Sequence, residues 1–107
     1  MGNSKFKSQY YDDEEILYYT LRMVDRPHTN PPSQNKLELA SDSYKAVFAE
    51  LKSRGYIEDY TPITLNNGGT VNYNASEITF KGYGFLEDMK EEYEDLYLSF
   101  LEHSKNL

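Results

Sequence analysis

The stretch ITFKGYGFLEDM, residues 78–89, changes its periodicity within twelve residues and constrains the fold more than any other part of the chain. Its first three residues alternate apolar and polar side chains, as a half-buried strand does. Phe85, Leu86 and Met89 instead have helical spacing. We therefore expect the last strand of a hairpin to lead directly into a helix, with Gly82 allowing the chain to turn between them.

Two helices are predicted before this junction. The first spans residues 12–26, because Asp12 or Asp13 can cap it, apolar residues recur at helical spacing, and Pro27 cannot continue it. The second spans residues 41–54, with its apolar residues at i, i+3, i+4 and i+7 and a glycine at its C-terminal cap. Between them lies PHTNPPSQN, residues 27–35, whose composition predicts a loop, and residues 34–39 could add one helical turn.

A hairpin and a long helix complete the predicted architecture. Strands are expected at residues 56–65 and 70–80, joined by a tight Asn-Asn-Gly-Gly turn. The last helix is expected to span about 83–104. The chain thus reads as an α+β protein with a flexible N-terminal arm, 1–10, and a single domain, 11–107.

This order of elements is typical of a winged helix-turn-helix with a long added C-terminal helix. FAELKSRGYI, followed by a hairpin and ITFKGYGFLEDM, resembles the YjcQ-like winged-helix family of unknown function from Gram-positive bacteria and their phages. The resemblance covers roughly residues 41–89, and the proline-rich stretch departs from it where the family has a short second helix. It implies that Ile78 and Phe80 finish the wing hairpin on the core. The family motif matches at Ile78, Thr79, Lys81, Gly82, Phe85 and Leu86.

The winged-helix fold implies a DNA-binding regulator that is not an enzyme. Such proteins usually place a helix in the major groove and a wing on the phosphates. On the 41–54 helix, Lys45 and Lys52 could contact phosphates, and Ala46 and Ala49 would permit close approach. The remaining candidate contacts to double-stranded DNA are neutral: Ser41, Ser53, Asn66 and Asn67.

Charge favours an alternative function. Residues 56–80 contain no Lys or Arg, and 18 acidic residues oppose 11 basic ones, a net charge of −7. Affinity for nucleic acid arises largely from neutralised phosphates, so this balance weakens the DNA hypothesis. The alternative is an acidic, tyrosine-rich protein-interaction module, such as a phage or mobile-element factor that engages a host protein. Its candidate surface would include Tyr10, Tyr11, Tyr18 and Tyr19, since tyrosine is favoured at interfaces. The competing interpretation is that half of these four simply pack in the core.

Apolar residues at alternating spacings of three and four on the last helix predict a homodimer. A helix of about 20 residues is about 30 Å long, more than a small domain needs to cover its own core. The competing interpretation is that the stripe packs on the first helix of the same chain. The predicted dimer interface consists of Leu86, Met89, Tyr93, Leu96 and Phe100.

No catalytic, metal or cofactor site is predicted. The chain has no cysteine, and neither His28 nor His103 has a partner spacing typical of a triad or a metal motif. The acidic run at residues 12–15 is explained by helix capping. No apolar run approaches the roughly 20 residues of a membrane span, and no secretion signal is evident, so a cytoplasmic protein without a membrane partner is expected.

Overall fold

The computed structural model describes residues 5–26, 32–63 and 72–105. These residues form four helices and one two-stranded antiparallel sheet, which confirms the predicted α+β class. The elements in chain order are α1 (Asp13–Asp25), α2 (Gln34–Leu37), α3 (Ser41–Ser53), β1 (Tyr60–Ile63), β2 (Asn72–Ala75) and α4 (Phe80–Ser104).

Helix α1 begins at the predicted cap. The Asp12 carboxylate accepts a hydrogen bond from the Glu15 amide, and the Glu15 carboxylate accepts one from the Asp12 amide, which is a capping box. The helix ends at Asp25, within a residue of the predicted end, whereas Pro27 lies outside the described residues. The helix is buried over most of its circumference through Ile16, Leu17, Tyr18, Tyr19, Thr20, Leu21 and Met23.

The segment before α3 contains the single helical turn that the sequence allowed. The Ser33 side chain accepts a hydrogen bond from the Lys36 amide and starts α2 at Gln34, so the predicted loop ends two residues early. Glu38 has φ 55° and ψ 44°, and this left-handed residue ends α2 and redirects the chain into α3. Leu37 and Leu39, on either side of it, are buried and fix the turn on the core.

The hairpin is regular over less of its length than predicted. β1 pairs with β2 from Tyr60 opposite Ala75 to Ile63 opposite Asn72. Nearer the helices the ladder continues only as an isolated bridge between Ile57 and Ile78. The predicted Asn-Asn-Gly-Gly turn lies outside the described residues.

Helix α4 begins earlier than expected, and this changes the role of two residues. Thr79 caps it by accepting a hydrogen bond from the Gly82 amide, so Phe80 is the first helical residue and not the end of a strand. Phe80 is 98% exposed, which corrects the prediction that it packs on the core, whereas Ile78 does pack there. Gly82 lies inside the first helical turn and does not provide the change of direction.

The core is largely aromatic and joins α4 to α1 and the hairpin to α3. Tyr19 stacks on Phe100 with ring centroids 4.6 Å apart, and Phe48 meets Tyr73 at 5.0 Å. Of the four tyrosines on or next to α1, Tyr18 and Tyr19 are buried, whereas Tyr11 is half-buried and Tyr10 is exposed, so half of them pack in the core. Within the predicted N-terminal arm, Phe6 has no exposed surface and belongs to this core.

Candidate nucleic-acid interface

The outer face of α3 brings four of the six candidate residues on this helix together. The inner face of α3 has no exposed surface at Tyr44, Val47, Phe48 and Leu51. On the opposite side, side chains separated by three or four residues are neighbours. We refer to this outer face as the α3 face; its exposed candidates are Lys45, Ala49, Lys52 and Ser53.

The other two candidates on the helix serve the fold. The Ser41 hydroxyl donates to Oε1 of Gln34 at 3.1 Å and so ties the start of α3 to α2. Ala46 is half-buried and packs against the core. Both residues are half-buried, so they present less surface to an approaching duplex than the four residues of the α3 face do.

The two lysines of the α3 face differ in their electrostatic surroundings. Lys52 Nζ lies 3.0 Å from Oδ1 of Asp59, an exposed ion pair between the helix and the start of the hairpin. This lysine, together with the Tyr60 amide, lowers the pKa of the Asp59 carboxyl. Lys45 is exposed and has no ion pair with any described residue. Because Asp42 is also exposed at the start of the helix, the two lysines face two carboxylates and the surface is close to neutral.

Arg54, at the end of α3, forms ion pairs within the fold. The Arg54 guanidinium lies 2.7 Å from Glu50 and 3.0 Å from Glu14, so it links α3 to α1. Glu50 also accepts from Lys5 at 3.1 Å. Arg54 foremost, and then Lys5, holds the pKa of the Glu50 carboxyl below its usual range. These ion pairs link α3 to α1 and to the N-terminal segment.

The hairpin contributes no basic residue to the interface. Asn66 and Asn67, the two candidates on the predicted wing, lie outside the described residues. The described part of the hairpin exposes Glu58, Asp59 and Glu77. Positive charge at this interface therefore comes from the helix and not from the hairpin.

The predicted dimer stripe on α4 is largely inside the molecule. Leu86, Tyr93 and Phe100 are buried, and Met89 packs partly against the same core. Tyr93 meets Tyr18 of α1 at 5.6 Å between centroids. Only Leu96 of the described stripe has substantial exposure, at 45%. For the buried members, the competing interpretation of packing within one chain is the one that the structure supports.

A second surface on α4 was not anticipated from the sequence. A groove of about 440 Å³ runs between α1 and α4. Tyr83 and Leu98, which line it, are 49% and 53% exposed. Arg22 lies across the groove, with its guanidinium carbon 4.4 Å from the centre of the Tyr97 ring. These α4 residues also recur at helical spacing. The predicted dimer stripe forms a stronger apolar pattern on the same helix, so the sequence alone did not single them out.

His103 and the acidic residues do not form a metal-binding cluster in the part of the chain that the structure describes. Within residues 5–26, 32–63 and 72–105, no group of three or more His, Asp or Glu side chains could hold a metal ion. His103 is exposed and its Nε2 lies 3.1 Å from the Glu38 carboxylate, while His28 falls outside the described ranges. Among the helices described, none is long and apolar enough to cross a membrane.

Comparison with known proteins gives no independent indication of function, since no family model, curated protein or solved structure matches the chain.

Proposed function

We propose that this protein is a non-enzymatic winged-helix regulator that contacts double-stranded DNA through the α3 face. The observation that carries the proposal is the unit formed by α2, the left-handed turn at Glu38 and α3, followed directly by a hairpin. Helix, turn, helix and wing occur in the same order in winged-helix DNA-binding proteins. The likeness to the YjcQ-like family is consistent with this proposal.

The composition of the α3 face supports phosphate contacts over base recognition. Lys45 and Lys52 lie two turns apart along the exposed side, and Ala49 between them presents no bulk to an approaching backbone. Lysine recognises phosphate as a point charge, whereas bidentate base recognition uses Arg, Asn or Gln. The α3 face has none of these three residues, so we expect weak binding with little sequence preference.

The number of lysines sets the expected salt dependence. Each neutralised phosphate contributes about −0.9 to the slope of log affinity against log salt concentration. Two lysines therefore predict a slope of about −2. The net charge of −7 further weakens binding, since the rest of the molecule repels the duplex.

The test is fluorescence anisotropy with a random-sequence duplex, titrated from low to physiological salt. Lys45→Glu should weaken binding and make the slope shallower by about 1, and adding Lys52→Glu should abolish binding. Lys105→Glu is the matched control, because it makes the same charge change at the far end of α4. Absence of binding at low salt, or an equal loss in the Lys105 variant, would contradict the proposal.

An acidic protein-interaction module is the second candidate, and one observation favours it. The solvent side of α4 exposes five carboxylates that have no ion pair within the described residues: Glu87, Asp88, Glu91, Glu92 and Asp95. The tyrosine part of this hypothesis is weaker, because Tyr18 and Tyr19 are buried and leave Tyr10 as the main exposed member. A partner captured equally well by wild type and by the Lys45 and Lys52 double variant would favour this function over DNA binding.

A further inference from the structure

The groove between α1 and α4 is bordered by a stripe of α4 side chains that differs from the predicted dimer interface. Tyr83, Lys90, Glu94, Leu98 and Leu101 all line the groove at helical spacing. Leu86, which also lines it, links this stripe to the core. We call this set the groove stripe.

The apolar and charged residues of the groove stripe are arranged symmetrically about position 92. Tyr83 and Leu101 lie nine residues before and after position 92, and Leu86 and Leu98 lie six residues before and after it. Two residues on either side of position 92 stand Lys90 and Glu94. An antiparallel copy of α4 centred at this level therefore places these apolar residues opposite apolar residues and lysine opposite glutamate. The other two α4 residues that line the groove, Glu87 and Tyr97, also come opposite each other.

We propose that the groove stripe is the interface of an antiparallel homodimer of this chain. A two-fold axis between Lys90 and Glu94 generates two equivalent ion pairs between the copies, flanked on each side by Tyr83 with Leu101 and by the exposed Leu98, which comes opposite the largely buried Leu86. An interface of this kind is self-complementary, as two-fold symmetry requires. The match of charge and of apolar residues under one symmetry operation identifies a second copy as the occupant of the groove.

The charged pair at the centre is available for such contacts. Arg22 and Tyr18 both hydrogen-bond to Oε1 of Glu94, and Oε2 has no hydrogen-bond partner among the described residues. Lys90 is exposed and has no ion pair in the described part of the chain. Arg22 thus holds Glu94 in place at the groove while its second oxygen remains able to accept from the partner's lysine.

The same arrangement accounts for the most exposed aromatic residue. Phe80 lies twelve residues before position 92, and Ser104 lies twelve residues after it. Antiparallel pairing therefore brings the last turn of the partner's α4, in which Ser104 itself is buried, to the level of Phe80, whose side chain is 98% exposed in the single chain. Covering this ring and the half-exposed Tyr83 and Leu98 removes apolar surface from water.

Sedimentation velocity over a wide concentration range tests the dimer, with leucine variants identifying the face. Leu98→Glu should raise the dimer dissociation constant at least about tenfold, because it places a carboxylate in the apolar part of the groove stripe. Leu96→Glu is the matched control, since Leu96 is similarly exposed but lies on the opposite side of the helix. Circular dichroism establishes that both variants remain folded.

The register can be tested because the chain contains no cysteine. Tyr83→Cys and Leu101→Cys variants, mixed and oxidised, should form a disulfide-linked dimer. Neither variant alone should form this disulfide. In an antiparallel pair, the same cysteine on the two copies is separated by about 27 Å along the helix axis. A monomer at every concentration in sedimentation velocity would overturn the proposal. Dissociation of the dimer by Leu96→Glu without an effect of Leu98→Glu would also overturn it. Equal cross-linking in the mixed sample and in the single-variant samples would contradict the antiparallel register. The inference does not depend on DNA binding.

Discussion

Gly82 lies directly against the backbone carbonyl of Tyr56. A Cβ atom at position 82 would be 2.3 Å from the Tyr56 oxygen and 2.6 Å from Cγ2 of Ile78. The same carbonyl accepts a hydrogen bond from the Thr79 amide at 3.0 Å, so it cannot move away easily. The first turn of α4 is therefore pressed onto the connection between α3 and the hairpin, and glycine is required for this close approach and not for flexibility.

Replacing Gly82 with alanine should consequently destabilise the protein although alanine favours helix. We expect a loss of about 2 kcal/mol or more in the free energy of unfolding, because the neighbouring atom is backbone. Gly84→Ala is the control: a Cβ there meets nothing within 4 Å, and the change should stabilise by about 0.5–1 kcal/mol. Urea unfolding measures both. Equal shifts in the same direction would show that the contact with Tyr56 does not determine the outcome.

The start of α4 shows why the sequence could predict an element but not its boundary. The alternation at residues 78–80 is typical of a strand, yet Thr79 caps the helix and Phe80 points into solvent. The Tyr56 carbonyl, which lies against Gly82 and accepts from the Thr79 amide, is distant in sequence, so local periodicity does not reveal the contact that fixes this boundary. By contrast, α1 and α3 were predicted to within a residue or two because the capping box of α1 and the apolar spacing of both helices are local in the sequence.

The sites show the same division between local pattern and tertiary contact. Helical geometry alone places Lys45, Ala49 and Lys52 on one face. It could not show that Ser41 bonds to Gln34 or that Asp59 pairs with Lys52 from the hairpin. An apolar stripe on a helix likewise predicts burial without identifying the surface that covers it.

Helix α3 should gain stability from a better N-terminal cap. Ala40 is its N-cap, has extended backbone angles and offers no side-chain hydrogen bond to the first turn. Ala40→Ser supplies an acceptor for these amides and should stabilise by about 0.5–1 kcal/mol in thermal or urea unfolding. Ala49→Ser makes the same change in the middle of the helix, where serine is a poorer helix former, and should be slightly destabilising. A similar effect at both positions would contradict a capping role.

Tyr44 carries a buried hydroxyl that none of the described residues contacts by a hydrogen bond. The side chain has no exposed surface, and its oxygen has no hydrogen-bond partner within residues 5–26, 32–63 and 72–105. Tyr44→Phe removes a buried unsatisfied group and should leave stability unchanged or raise it by about 1 kcal/mol. Tyr19→Phe, in contrast, removes a 2.8 Å hydrogen bond to Glu15 and should cost about 0.5–1.5 kcal/mol. A loss at Tyr44 as large as that at Tyr19 in urea unfolding would reveal a partner for its hydroxyl.

Acid should weaken the fold through Glu50. Arg54 and Lys5 lower the pKa of this carboxyl, so the folded state binds its proton less readily than the unfolded state does. The resulting stabilisation is complete above the unfolded pKa, about 4.3, and is lost as the pH falls through the lower folded value. Urea unfolding from pH 7 to pH 3 should show a shallower acid decline for Glu50→Gln than for wild type. Glu91→Gln, at an exposed position on α4, should keep the wild-type decline; equal slopes for all three proteins would argue against this carboxyl as the cause.

Asp59 should act as a restraint on DNA binding if the proposed role of the α3 face is correct. Its carboxylate pairs with Lys52 at 3.0 Å, so it competes with phosphate for that lysine and repels the duplex. Asp59→Asn should raise affinity for random duplex DNA about two- to threefold at low salt, with the gain shrinking as salt screens the charges. Asp95→Asn provides the same charge change on the exposed side of α4. If both variants gain affinity equally, the net charge and not the local pair governs binding, and the assignment of Lys52 to the interface would not hold.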